Sequence, residues 1–182
     1  MMLRKITTAQ AKHWTVSLLA CMFMLSSACR SPDKPRTASE NHLATLDRME
    51  ILDLISQYSH MWDDRNANSW ADLFIDSAEW KFHADGAPKR TIKTKQGLLK
   101  FAREQLRAFT EQRIQTRHHQ TNSLFSRNPD GSVHAKTVFS VVWQKTGDAA
   151  PNLVHSGVYR DIFVKTPAGW KFSRREVHVD HE

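Results

Sequence analysis

Cysteine is nearly absent: this 182-residue chain has two, Cys21 and Cys29, both in its first thirty residues. From residue 30 onward there is therefore no disulfide, no thiolate metal site and no thiol nucleophile. Glycine is also sparse, at six residues, and none clusters into a phosphate-cradling loop. No HExxH occurs, no internal repeat is visible, and Tyr58 and Tyr159 are the only tyrosines. A basic stripe interleaved with aromatic residues is missing too. The formal charge of +7 divides into +4 over residues 1–40, where six Lys/Arg face two acidic residues, and +3 over residues 41–182, where 20 face 17. The nearest basic run, "KRTIKTK" at 89–95, reads as a solvated loop or strand edge, so nucleic acid is not an expected partner.

What is present begins with an address. "MMLRKITTAQAK" is basic and "HWTVSLLACMFMLSSA" is apolar, short for a membrane span, and ends in small residues before Cys29. Residues 1–28 are expected to be a secretory signal peptide. Residues 29–41, polar and proline-containing, are expected to be a flexible tether. Leu25 stands one place too early for a standard lipoprotein box, and "LLAC" at Cys21 fits that pattern better but follows a very short apolar region. Lipidation at Cys29 is favoured over soluble export. The expected location is the periplasm or the membrane surface, with the lipid anchor as the only membrane contact.

Residues 42–182 carry the folded domain. Ile51, Ile55, Tyr58 and Trp62 recur at helical spacing, which predicts a long amphipathic helix over 43–62. "DDRNANS" interrupts it, and Ser69 with Asp72 reads as a capping box opening a second short helix. "AEWKFH" (78–83) has strand character, "DGAPKR" turns the chain, and after "TIK" Thr94 caps a third helix. Beyond residue 112 the period falls to two, and four strands follow, the first two joined through "RNPDG". The order α-α-β-α-β-β-β-β predicts an α+β fold, with three helices packed on a curved, mainly antiparallel sheet. The inside of such a cone is a natural pocket for a small molecule.

With that order in place, "ILDLISQYSHMWDDRN", "WADLFIDSAEW", "TRHHQTN" and "SGVYRDIFVKTPAGWKFSRREVHVD" resemble successive stretches of the SnoaL-like branch of the nuclear transport factor 2 superfamily. The resemblance runs from about residue 43 to 180. The family includes scytalone dehydratase, hexachlorocyclohexane dehydrochlorinase, steroid isomerase relatives and polyketide cyclases, as well as members that only bind. Resemblance to the dehydratases implies a catalytic His–Asp pair, which maps onto His118 and Asp63, with Asn122 following on the strand. It implies no cofactor, and association as a homodimer or homotrimer.

On a strand His118 and His119 face opposite ways. His118 shares its side with Ile114, Gln120, Asn122 and Leu124, and His119 with Arg117, Thr121, Ser123 and Phe125. Both sides are mixed, so alternation does not choose between them; the resemblance selects His118. A neutral imidazole there could take a proton from carbon, while the Asp63 carboxylate holds its tautomer. Tyr58, one turn before Asp63, is the candidate to polarise a substrate, and Tyr159 is a second. Trp62, Phe82, Phe139 and Trp143 are expected to line the pocket. Such a wall suits a small apolar ligand, either for turnover or for binding alone. Adjacent histidines are poor chelators, "HVDH" (178–181) offers at most an adventitious pair, and no functional metal is expected.

Overall fold

The computed structural model describes residues 43–180. The expected signal peptide, tether and Cys29 lie outside those residues, as do His42 and the last two positions. The first helix, α1 (Thr45–Asp63), buries Ile51, Leu54, Ile55, Tyr58 and Trp62 along one face. It ends where Asp64 donates to the His60 carbonyl and Arg65 turns left-handed at φ 61°. The second helix, α2 (Ala67–Asp72), opens at Asn66, not Ser69. The Asn66 side chain accepts the Ser69 N–H, so the serine is the capped residue and the asparagine the cap. The third helix, α3 (Lys95–Glu111), opens at Thr94 as expected, with the hydroxyl accepting the Gly97 N–H at 3.1 Å.

The strands are β1 (Phe74–Ala84), β2 (Ala87–Lys93), β3 (Ile114–Arg127), β4 (Val133–Lys145), β5 (Asn152–Thr166) and β6 (Gly169–Val179). They form one sheet in the order β2-β1-β6-β5-β4-β3. Only the β1–β6 pair is parallel; every other pair is antiparallel. The α+β cone with its three helices stands. The stretch after the first strand, expected as a turn followed by "TIK", extends that strand into a hairpin. Asp85 and Gly86 both take positive φ, 51° and 72°, the geometry of a two-residue hairpin turn, and residues 87–93 pair back onto β1. Of β2 only Ile92 is even half-buried, so no apolar alternation marks it in the sequence.

Two of the sheet's bulges decide which side chains of β3 and β6 enter the cone. In β3, Thr121 pairs with Val138 and Leu124 with Lys136, so one extra residue is accommodated around Asn122, whose φ is 53°. Before the bulge Ile114, Thr116, His118 and Gln120 face inward. After it the parity flips, Phe125 turns toward α1 under the Arg48 guanidinium, and Leu124 is left 71% exposed. In β6, Phe172 pairs with Phe163 and Arg174 with Ile162, leaving Ser173 as the extra residue. Phe172 and Arg175 are both fully buried as a result.

Where β5 crosses β6 near the open end, Gly157 sits against backbone. A Cβ there would lie 2.0 Å from the His178 carbonyl oxygen. Gly157→Ala is expected to destabilise the domain by about 3 kcal/mol, the upper end for overpacking. The measurement is urea unfolding, where the midpoint falls at unchanged slope; an unmoved midpoint would show that the β5–β6 ladder yields freely.

Candidate active site

The end of α1 meets β3 at one carboxylate. Asp63 Oδ1 accepts the Thr116 hydroxyl at 2.8 Å and lies 2.7 Å from His118 Nδ1, while Oδ2 accepts the His118 backbone N–H at 2.9 Å. Asp63 and Thr116 are buried, and His118 is half-buried. A carboxylate can only accept, so Nδ1 donates in this contact; in the neutral ring that leaves the lone pair on Nε2, on the ring's far side. Burial alone would raise the Asp63 pKa. The hydrogen bonds and charge of His118, with the Thr116 bond, outweigh it, and the carboxyl titrates below its ordinary 3.8. Gln115 ties the same corner, donating to the Asp63 carbonyl at 3.1 Å.

Deeper in the cone lies a group that strand alternation from Trp170 and Phe172 would have put outside. Arg175 is fully buried and donates through Nε and Nη2 to the two oxygens of Asp161, each at 2.8 Å. Asp161 is itself buried and pairs with Arg175 across β5 and β6. The guanidinium lies over the rings of Tyr58, Tyr159 and Phe172 at 3.9, 4.2 and 4.4 Å. Burial disfavours the cation, but the Asp161 charge and hydrogen bonds prevail, and the Arg175 pKa is raised. Gln120 joins this group to α1: its Oε1 accepts from Arg175, and its Nε2 donates to the Ile55 carbonyl and the Ser59 hydroxyl.

Tyr58 and Tyr159 are both buried, and burial pushes both phenols above 10. They are neutral donors at physiological pH. The Tyr58 oxygen accepts the Trp80 indole N–H at 3.3 Å, which leaves its own proton available.

A pocket of about 380 Å³ opens over these groups. Of the residues expected there, Tyr58, Trp62, Phe82, His118, Phe139, Trp143 and Tyr159 line it. Asp63 stands behind His118, holding the ring without reaching the cavity wall. Asn122 is not part of the wall. It is exposed at the β3 bulge, which carries the chain out of register four residues after His118. His119 is exposed as well. Trp80, Phe101, Phe109 and His155 complete the aromatic lining, and Lys89 and Arg90 of β2 are its only Lys or Arg. Apolar spacing could have offered Phe101 and Phe109 from the helix pattern. The Asp85–Gly86 turn is the one local signal for β2, since the strand it folds back onto β1 has no apolar alternation of its own.

Helices on the concave side of a mixed, curved six-stranded sheet, enclosing a pocket at its open end, define a nuclear transport factor 2-like cone. The sequence profile of the SnoaL-like domain matches residues 44–176, and the chain belongs to that family. Similar solved structures include ActVI-ORFA from Streptomyces coelicolor, with TM-score 0.67 and 23% identity over 76% of this chain and 98% of that one. A candidate scytalone dehydratase from Novosphingobium aromaticivorans superposes with TM-score 0.63 and 21% identity, over 74% of this chain and 85% of that one. An NTF2-like protein with a cystatin-like fold from the same organism gives 0.62 and 20%, over 92% and 91%. At these identities the likeness is one of fold. No curated protein sequence matches the chain.

The Asp63 carboxyl ionises at lower pH in the folded chain than in the unfolded one, so the unfolded chain takes up the proton first as pH falls. The stabilisation is complete above about pH 5 and disappears as pH drops below 3.8 through the folded value. Asp63→Asn is therefore expected to cost about 1.5–3 kcal/mol at pH 7, the value of hydrogen bonds to a charged group. The gap from the parent should narrow by pH 3. Urea midpoints of both proteins across that range check it, and a constant gap would show that the ionised carboxylate contributes nothing.

Proposed function

We propose that this protein is a cofactor-independent lyase or isomerase of dehydratase type, acting on a small cyclic or carbonyl substrate held in the aromatic pocket. The observation that carries the reading is the 2.7 Å contact between His118 Nδ1 and Asp63 beside that pocket. In the reaction, His118 Nε2 removes a proton from the carbon next to a carbonyl, and Asp63 stabilises the imidazolium that forms. The Tyr58 hydroxyl donates to the carbonyl oxygen as negative charge develops there. The bond from the adjacent carbon to a hydroxyl then breaks, and the leaving oxygen takes the proton back from His118 and departs as water. In an isomerisation the same proton returns to a different carbon.

A second reading is favoured by the pocket wall, which is mainly aromatic and aliphatic: a module that binds an apolar ligand without transforming it. The two part on one experiment. Purified protein is offered cyclic β-hydroxy ketones, with loss of water followed by ultraviolet absorbance. The parent chain is expected to turn one of them over, and His118→Ala to lose about 10²–10⁴ of that rate with its circular dichroism unchanged. Binding of such ketones by the parent, with turnover of none, would instead establish the binding module.

We further propose that the chain is exported and anchored through Cys29, with two or three copies associating. Supporting this are the apolar run and the small residues before Cys29. Cys29→Ser is expected to abolish incorporation of a labelled fatty acid into the expressed protein; label retained by that variant would place the anchor at another residue, and no label on the parent would overturn the anchor.

A further inference from the structure

The convex face of the sheet carries a cluster of nitrogen and oxygen donors on the side opposite the pocket. Phe82 and Val177 point into the cavity, so their neighbours His83, Glu176 and His178 point the other way. Because β1 and β6 run parallel, His83 lies directly beside His178. Their rings stack with centroids 4.2 Å apart and planes at 18°. Glu176, two residues earlier on the same face as His178, brings Oε2 to 3.3 Å from His178 Nε2. One donor atom from each of the three side chains lies within 4.8 Å of the other two.

This arrangement contains an unmet demand. The Nε2 of His83 is buried and has no hydrogen-bond partner. A buried polar atom left so costs about 1–3 kcal/mol, and nothing on the protein side answers it. A metal ion would. We propose that His83, Glu176 and His178 form a zinc site with one coordination position open to water or an anion.

The donor chemistry fits that metal. Two imidazole nitrogens and one carboxylate oxygen are a familiar ligand set for zinc. Tetrahedral bonds of about 2.0–2.2 Å set ligand atoms about 3.3 Å apart, the separation already present between His178 and Glu176. The stacked rings must tilt to aim both lone pairs at one ion, which rotation about their terminal side-chain bonds supplies. Lys81 is the local competitor: its ammonium lies 3.7 Å from Glu176 but 2.9 Å from Glu79, so Glu79 keeps it when the metal takes Glu176. The bound ion would clamp β1 to β6 across 95 residues of chain, at the sheet's one parallel pairing.

The test is zinc titration of the full chain after chelator treatment, by calorimetry, with cobalt substitution to read coordination number. The expected result is one zinc per chain, and visible cobalt bands of four-coordinate intensity. His83→Ala, His178→Ala and Glu176→Gln should each weaken binding by more than about 100-fold, beyond the loss typical of a residue that merely supports a ligand. Glu176→Gln removes no volume, so it separates loss of the metal from loss of the fold. Zinc should also raise the Tm of the parent and leave that of Glu176→Gln unmoved. Either no zinc uptake by the parent, or uptake that survives the three substitutions combined, overturns the site.

Discussion

One carboxylate joins the two layers of this domain at the place where chemistry is proposed. Asp63 is the last residue of α1, and each hydrogen bond to its side chain comes from β3: the Thr116 hydroxyl, the His118 backbone N–H and the His118 ring. The helix end is thereby fixed against the strand, and the imidazole is fixed against the helix. The pocket depends on this joint, since Tyr58 and Trp62 enter it from the same helix and His118 from the same strand. Had the carboxylate been satisfied by its own helix, His118 would have lost both its tautomer and its orientation.

Beneath that joint the cone floor is held by a buried ion pair, which is not in itself a stabilising device. Arg175 earns its place through geometry: two bonds to Asp161, one to Gln120, and three aromatic faces around the guanidinium. Its Nη1 has no hydrogen-bond acceptor, and the electron-rich ring faces occupy its surroundings instead. Gln120 then carries the connection up to the carbonyl of Ile55 and the hydroxyl of Ser59 on α1. Helix, third strand and sixth strand are thus linked through polar contacts in a core that is otherwise apolar. The two phenols packed on the cation stay protonated for the same reason: burial makes their anions costly.

The sheet places its functional residues by breaking its own alternation. The β3 bulge ends the inward run of Ile114, Thr116, His118 and Gln120, and so removes Asn122 from the pocket that strict periodicity would give it. The β6 bulge at Ser173 does the reverse, bringing Arg175 inside behind Phe172. Read from Trp170 and Phe172, the sequence points Arg174 inward; read back from Val179 and Val177, it points Arg175 inward. The conflict is visible in the letters, but its resolution is a matter of pairing with β5. Lys89 and Arg90 reach the pocket mouth by a similar route, through a hairpin whose second strand has no apolar pattern of its own.

By itself the sequence determined the helices, the four closing strands, the aromatic character of the pocket and the His118–Asp63 candidates. Those features are written in local periodicity, in cap residues such as Thr94, and in the order of short stretches resembling one family. Only the tertiary structure decided that Asp63 is spent on His118, that Asp161 is buried with Arg175, and that His83 stacks on His178 from the far end of the chain. Each of these is a contact between residues 14 to 95 positions apart. A bulge of one residue is enough to reverse the face on which such a contact forms. Local spacing carries the elements, and strand pairing alone fixes which of their side chains meet.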